Sequence, residues 1–359
     1  MKKTNTTNTH TSNIEAGQAR KFTQIKLGID VHADSFRVVR QIENATPQPA
    51  QKFTPGKFIE FVVRQLTLAQ EVHSCYEAGP FGYSLHRQLV ELGVHNVVIR
   101  PQNWDELGKG VKTDKTDALA LVQRLDRYVQ GNTKALAVIT VPTPEQEQAR
   151  SQSRRRDQLQ KDRQAHEAQG RSLMLYHGYR VKGQWWGDVT WEGCKKLLPG
   201  WLLELLEGIR AQLLVTMQQL QALSIKIESV AQPQAKGIGL YTSEVLRREV
   251  FDWNRFKNRR QVASLTGMCP RVRASGSRSV SGSINKQGNP RLRRLLVEMA
   301  WRVIRYQPRY APVTRWKKLL TNKHAGGRKK AAVAIGRRLA IDIWRMETGR
   351  TTAEKLNLC

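Results

Sequence analysis

The chain has 359 residues, enough for two or three domains that each bury a core. Lys and Arg outnumber Asp and Glu by 60 to 30, and the resulting net charge of +30 points to a polyanionic partner, most simply nucleic acid. No apolar run approaches the roughly 18 residues of a membrane span. Cys75, Cys194, Cys269 and Cys359 show no C-x-x-C spacing, which argues against a zinc site or a disulfide framework and fits a reducing cytoplasm.

Residues 1–21, beginning MKKTNTTNTHTSN, have no apolar core of a signal peptide and read as a disordered polar tail. Gln24 to Val31 then reads as a buried strand ending at Asp30, with Ser35 to Ile42 as its hairpin partner and a third short strand near Gln51 to Thr54. Pro55-Gly56 opens a helix to Ala69. A strand over Val72 to Tyr76, with Glu77 at its end, a helix over Phe81 to Leu92, a strand over Asn96 to Arg100 and a helix from Thr113 complete the run. The order β-β-β-α-β-α-β-α is that of an RNase H-like (RuvC-like) α/β domain, here 22–142, and such sheets gather their sites at the strands' carboxyl ends.

Val141-Pro142-Thr143-Pro144 reads as a domain boundary. The region 143–232 is expected to be helical with a coiled coil. Its first helix, Glu145 to Ser172, is nearly all polar, and Arg154-Arg155-Arg156 reads either as a contact to nucleic acid or as a solvated face. Trp185, Trp186, Trp191 and Trp201 are expected to pack a small cap rather than stack on bases. Leu206, Ile209, Leu213, Thr216, Leu220, Leu223, Ile227 and Val230 then alternate three and four residues apart, a heptad seam. The seam argues for an antiparallel hairpin with the polar helix before it, a contact between protomers, or both; that helix offers few apolar residues, which favours the contact between protomers.

Pro233 ends that helix, and a mostly α-helical domain is expected over 233–346, with 347–359 as a tail. Lys236-Gly237-Ile238-Gly239 before a helix fits a helix-hairpin-helix-like turn that holds phosphate on its amides, or a tight turn with no further role. Phe256 and Val262 to Leu265 form the apolar part of a helix before Gly267. Helices follow from Arg291 to Tyr306 and from Arg328 to Met346, the last burying Ala332, Ile335, Leu339 and Ile343. From Phe251 to Cys359 there are 26 Lys and Arg against 5 Asp and Glu, so this part carries most of the positive excess.

Two groups of residues carry chemistry. Asp30 and Glu77 end apolar strands, and Asp114 and Asp117 share one face of a helix that Thr113 can cap. Four carboxylates brought together repel unless divalent cations lie between them. Magnesium, as two ions, suits all-oxygen ligation and phosphate chemistry. The second group is the stretch from Gly267 to Arg294, which sets Ser275 and Gly276 in a loop crowded with arginines before a basic helix; Arg271, Arg273, Arg278, Lys286, Arg291, Arg293 and Arg294 are candidate nucleic-acid contacts.

The segments LGIDVH at Asp30, EAGPFGYSL at Glu77, KTDKTDA at Asp114 and Asp117, and GMCPRVRASG…INKQGNPRLRRLLVEMAW resemble the DEDD-type insertion-sequence transposases of the IS-one-ten family. The resemblance spans roughly Ile25 to Met346. It implies a RuvC-like domain, a helical coiled-coil region and a C-terminal transposase domain. Asp30, Glu77, Asp114 and Asp117 would be Mg2+ ligands and Ser275 the nucleophile that links covalently to DNA. Ala274 stands where many relatives have a second serine, and Ser277 is the reserve candidate. The resemblance also implies guidance by a bridge RNA, homodimers assembling into a tetrameric synapse, and a bacterial, cytoplasmic, nucleoid-associated protein. The competing expectations are a RuvC-type junction endonuclease using metal-activated water and a nucleic-acid-binding protein without catalysis.

Overall fold

The structure is a computed structural model describing residues 21–101, 114–232, 235–275, 278–322 and 325–358. The side chains of 114–116, 273–275, 278 and 325 lie outside that description, as do residues 1–20 of the expected tail over 1–21. The chain divides into two compact units, Met1–Val141 and Pro142–Cys359.

The first unit is a mixed α/β layer structure. Strands β1 (Phe22–Val31), β2 (Phe36–Ile42), β3 (Gln51–Phe53), β4 (Ala69–Glu77) and β5 (His95–Ile99) form one sheet in the order β3-β2-β1-β4-β5. The β1–β2 and β2–β3 pairs are antiparallel, whereas β1–β4 and β4–β5 are parallel. Central β1 is buried without a break from Ile25 to Ile29, the pattern of a strand covered on both faces. Helices α1 (Pro55–Leu68) and α2 (Ser84–Glu91) contribute Phe58, Val62 and Leu89 to the core on one face. Helix α3 (Asp114–Val129) covers the other face with Ala118, Leu121, Val122 and Leu125.

Two features of β1 draw α3 in. A side chain at Gly28 would place its Cβ 2.4 Å from the Ala118 carbonyl oxygen and 2.5 Å from the Val122 nitrogen, so only glycine allows this approach. Fully buried Lys26 donates from Nζ to Asp126 of α3 and to the Glu43 carbonyl. A buried ammonium is tolerated only with such partners, and the pair fixes where α3 lies along the strand.

The second unit begins with two long helices, α4 (Pro144–Tyr176) and α6 (Gly200–Glu228), linked through α5 (Asp188–Leu197). Thr143 opens α4 with a capping box, its hydroxyl accepting from Gln146 N while Gln146 returns a bond to Thr143 N. The heptad seam is filled within the chain: Leu206, Leu213, Thr216, Leu220 and Ile227 are buried, and α6 packs along α4. Of the two expected uses of the seam, the hairpin within the chain, ranked second by the sequence, is therefore present. Polar α4 serves as the partner because Leu159, Met174, Ser153 and Gly170 are buried on it and its Arg stems are long. Arg155 reaches Gln219 and Arg156 reaches Ser224. Cross-contacts of Arg155 with Gln219 and of Met174 with the Leu202 end make the pair antiparallel.

Trp185, Trp186 and Trp191 are buried in the cap between α4 and α6, while Trp201 is half-exposed. Trp185 lies so close to Gly170 that a Cβ there would stand 2.0 Å from its ring, and its Nε1 donates to the Glu167 carbonyl at 3.0 Å.

The remainder is built on α7 (Leu240–Val250), α8 (Arg259–Thr266), α9 (Pro290–Tyr306), α10 (Ala311–Arg315), α11 (Lys317–Leu320) and α12 (Ala325–Glu347). Ile335, Leu339 and Ile343 of α12 enter its core. The stretch 347–359, expected as a tail, turns back through a short 3-10 helix (Glu354–Leu356), and Leu358 is buried in that core. The expected loop after Gly267 is a β-hairpin, β6 (Pro270–Ser275) paired antiparallel with β7 (Arg278–Ile284). Among the described residues no helix is long and apolar enough to cross a membrane.

Candidate functional site

The parallel register that sets Ile29 beside Tyr76 brings Asp30 and Glu77 to the same carboxyl edge of the sheet. Helix α3, pressed onto β1 at Gly28, presents Asp117 to that edge. Asp30, Glu77 and Asp117 together line one cavity of about 150 Å3, closed on another side by Pro80 and Phe81. Among the described residues no Lys or Arg lines it, a departure from the strongly basic chain around it. Asp114 starts α3 one turn before Asp117, and its side chain lies outside the described residues.

This edge has a definite chemistry. The Asp30 carboxylate receives a hydrogen bond from His32 Nε2 at 3.1 Å, which fixes one of its oxygens. Behind it Cys75 is fully buried and its thiol donates to the Leu121 carbonyl at 3.5 Å. Burial, helped by the nearby Glu77 charge, pushes that thiol well up. What faces the cavity is oxygen: three carboxylates from three elements, the donor set of a hard divalent cation such as Mg2+. Among the described residues no three acidic, histidine or cysteine side chains close around a single point, so the carboxylates share a cavity without forming a finished coordination sphere.

Ser275 ends β6, with its backbone opposite Arg278. The side chains of Ser275, Arg273 and Arg278, and all of Ser277, lie outside the described residues. The hairpin's base is anchored tightly. Gly267 takes the left-handed conformation at φ 65° to end α8, Lys286 N donates to its carbonyl at 3.0 Å, and Asn285 N donates to the Cys269 carbonyl at 2.7 Å. Gly288 passes so close that a Cβ would stand 2.4 Å from Gly267 N and 2.5 Å from the Leu265 carbonyl oxygen. Asn289 caps α9 through Oδ1, which accepts from Arg291 N and Leu292 N, and its Nδ2 donates to Glu249 Oε2 at 2.9 Å.

Glu249, with no exposed side-chain surface, is the hub beneath this motif. Arg154 donates to Glu249 Oε1 at 3.3 Å, Arg291 donates to the same oxygen at 3.2 Å, and Arg150 stands 3.9 Å from Oε2. Burial alone would push the carboxyl up, but hydrogen bonding and charge from Arg154, with Asn289 and Arg150, hold it below the ordinary carboxylate range.

The basic residues expected to contact nucleic acid therefore divide. Arg291 is committed to Glu249, Asp157 and the Ser153 carbonyl, Arg294 reaches Asp157, and Arg293 donates to the Thr266 and Lys286 carbonyls. Arg271 and Lys286 are exposed on and beside the hairpin. The triplet Arg154-Arg155-Arg156 is likewise used within the chain, Arg156 lying over the Tyr241 ring at 4.2 Å. Gly237 in the Lys236–Gly239 turn has φ 95°, and this turn lines a cavity of about 600 Å3 together with Trp301, Arg302, Arg305 and Tyr306.

Residues 233–314, which hold this turn, the hairpin and the Lys-x-Gly-Asn motif, match the sequence model of the transposase IS116/IS110/IS902 family. The chain is similar to insertion-sequence transposases. The transposase for insertion sequence element IS1111A of Coxiella burnetii is 24% identical over 371 residues, covering 96% of this chain and 95% of the relative. The transposase for insertion sequence element IS1533 of Leptospira borgpetersenii is 25% identical over 302 residues, covering 77% and 85%. The protein y4rJ of Sinorhizobium fredii, a transposase by assignment, is 29% identical over 299 residues, 75% of each chain.

The residues that position the site and escape a motif search are Gly28, Lys26 and Glu249. Gly28 carries a signal only in being a glycine inside an apolar strand, which often marks the close approach of another backbone.

Proposed function

We propose that the chain is an insertion-sequence transposase that cleaves and rejoins DNA strands, with Asp30, Glu77, Asp114 and Asp117 as its carboxylate site and Ser275 as its nucleophile. The observation that carries this reading is the convergence of Asp30, Glu77 and Asp117 from β1, β4 and α3 on one cavity at the carboxyl edge of the sheet. The strand order β3-β2-β1-β4-β5 supports an RNase H-like fold for this unit, and the match over 233–314 supports the transposase assignment.

In this reading the carboxylates hold Mg2+, which when bound supplies positive charge for the phosphoryl oxygens and lowers the barrier to losing a hydroxyl proton. The chain's own residues do the rest. The Ser275 hydroxyl attacks the scissile phosphorus, the oxygen–phosphorus bond of the leaving strand breaks, and the strand departs with its hydroxyl. The phosphoserine link keeps the energy of the cleaved bond, so attack by a new strand end regenerates the serine without a further energy source. His32 orients Asp30, and Arg271 and Lys286 contact backbone phosphates. A structured RNA from the element chooses the target, and protomers assemble into a synapse. These two features extend the family resemblance of the sequence motifs.

Incubation of the full chain with element-end DNA and magnesium is the test. The wild type forms a covalent protein–DNA adduct that maps to Ser275; Ser275→Ala forms none while binding DNA with unchanged affinity, and Asp30→Asn loses cleavage. An adduct of wild-type yield in Ser275→Ala refutes the serine assignment. Hydrolysed ends without adduct assign the attack to water.

A further inference from the structure

Helices α8, α10 and α12 of the second unit border another cavity, of about 600 Å3, that none of the residues discussed above as a site lines. Five arginines line it: Arg259, Arg260, Arg315, Arg337 and Arg338. Its one carboxylate, Asp342, is almost fully buried and already spent. Oδ2 accepts from the Tyr310 hydroxyl at 2.7 Å and from Arg338 Nε at 2.9 Å, and Oδ1 accepts from Arg345 at 3.3 Å. Asp342 and Arg338 thus offset each other. Among the described residues no carboxylate forms an ion pair with Arg259, Arg260, Arg315 or Arg337. The Nε of Arg337 is moreover buried without a hydrogen-bond partner.

Four guanidinium groups round one cavity repel each other, and the field they focus there favours an anion. Each presents a planar fork that matches a phosphate's oxygens in pairs. A lone phosphate would satisfy one or two of them, whereas a strand with successive phosphates engages several at once. Half-buried Trp316 on the same wall supplies an apolar face for a sugar or a base. We propose that this cavity grips the phosphodiester backbone of a nucleic-acid strand without regard to base sequence. The proposal rests on the transposase reading only for the class of anion. Most of its residues, Arg315, Arg337 and Arg338 among them, lie beyond the segment 233–314 matched to the family.

The test uses the full chain and one labelled oligonucleotide sequence prepared as single-stranded DNA, single-stranded RNA and duplex DNA, titrated by fluorescence anisotropy across a salt series. The variant Arg259→Gln/Arg315→Gln removes two exposed guanidinium groups and leaves the Asp342 network intact. We expect an unchanged melting temperature and weaker binding to the same degree for unrelated sequences. The slope of log K against log salt should become shallower by about 1.4–1.8, at about 0.7–0.9 per lost phosphate contact. Arg259→Lys/Arg315→Lys, which keeps the charge, should hold most of the slope. The probe that shows the change identifies the strand as DNA or RNA. A wild type that binds with a variant of equal affinity and slope on all three probes overturns the cavity assignment alone. A wild type that binds none of them overturns the transposase reading with it.

Discussion

Gly28 offers the sharpest test of how the first unit builds its site. Its substitution by alanine adds one methyl group where the Ala118 carbonyl oxygen stands 2.4 Å away and ordinary contact begins at 3.4 Å, so α3 must retreat by about 1 Å or β1 must bend. Both neighbours are backbone atoms, which cannot swing aside as a side-chain tip can. Overpacking of this kind costs about 1–3 kcal/mol, and the Lys26–Asp126 pair resists the shift because it ties α3 to the same strand. The unit should therefore fold with a lowered melting temperature. Asp117 would ride outward with α3, and a misplacement of about 1 Å at a reacting centre costs on the order of 100-fold in rate. Single-turnover cleavage of element-end DNA by Gly28→Ala should fall by that order while DNA affinity is unchanged. Wild-type cleavage in a variant whose melting temperature has dropped would refute the claim that the α3–β1 approach positions the carboxylates.

Four further substitutions probe the second unit. Glu249→Ala strands Arg150, Arg154 and Arg291 around an empty buried site and should cost about 3–5 kcal/mol by denaturant titration. Because the Glu249 carboxyl is held below its ordinary value of 4.5, its contribution is complete above that pH and lost as pH falls through the depressed value; Glu249→Gln should flatten the stability–pH curve of the full chain in that acid window. Tyr310→Phe removes the 2.7 Å bond to Asp342 and should cost about 2 kcal/mol, read as a lowered melting temperature. Gly288→Ala, which would press on three backbone atoms at under 3 Å, should loosen the hairpin base, seen as faster hydrogen exchange at the amides of Asn285 and Lys286.

Much of the first unit was legible because its strands are short, apolar and separated by Gly and Pro. The bounds expected for β1, β2, α1 and β5 differ from those found by one or two residues. The hairpin carrying Ser275 was missed, although Arg271 to Ser275 alternates polar and apolar residues as a strand does. Its Ser and Arg content reads as a loop by composition, while pairing depends on anchors at Gly267 and Gly288 that lie outside it. The seam of α6 was legible as a seam, and α4 was one of the two partners the sequence offered, ranked below a second protomer. Apolar count misjudges a helix such as α4, which covers leucines with arginine stems and with the space left by Ser153 and Gly170.

By itself the sequence determined most elements of the first unit, marked Asp30, Glu77, Asp114, Asp117 and Ser275 as candidates, and carried the basic charge that points to nucleic acid. These are local properties, set by periodicity, turn residues and composition. Only the tertiary structure decided which charges are spent inside the protein. Arg291 and Arg337 are alike in the sequence, but one is held by Glu249 and Asp157, whereas the other forms no ion pair with a carboxylate among the described residues. The difference lies in which carboxylates long-range packing brings within reach, and no spacing along the chain records it.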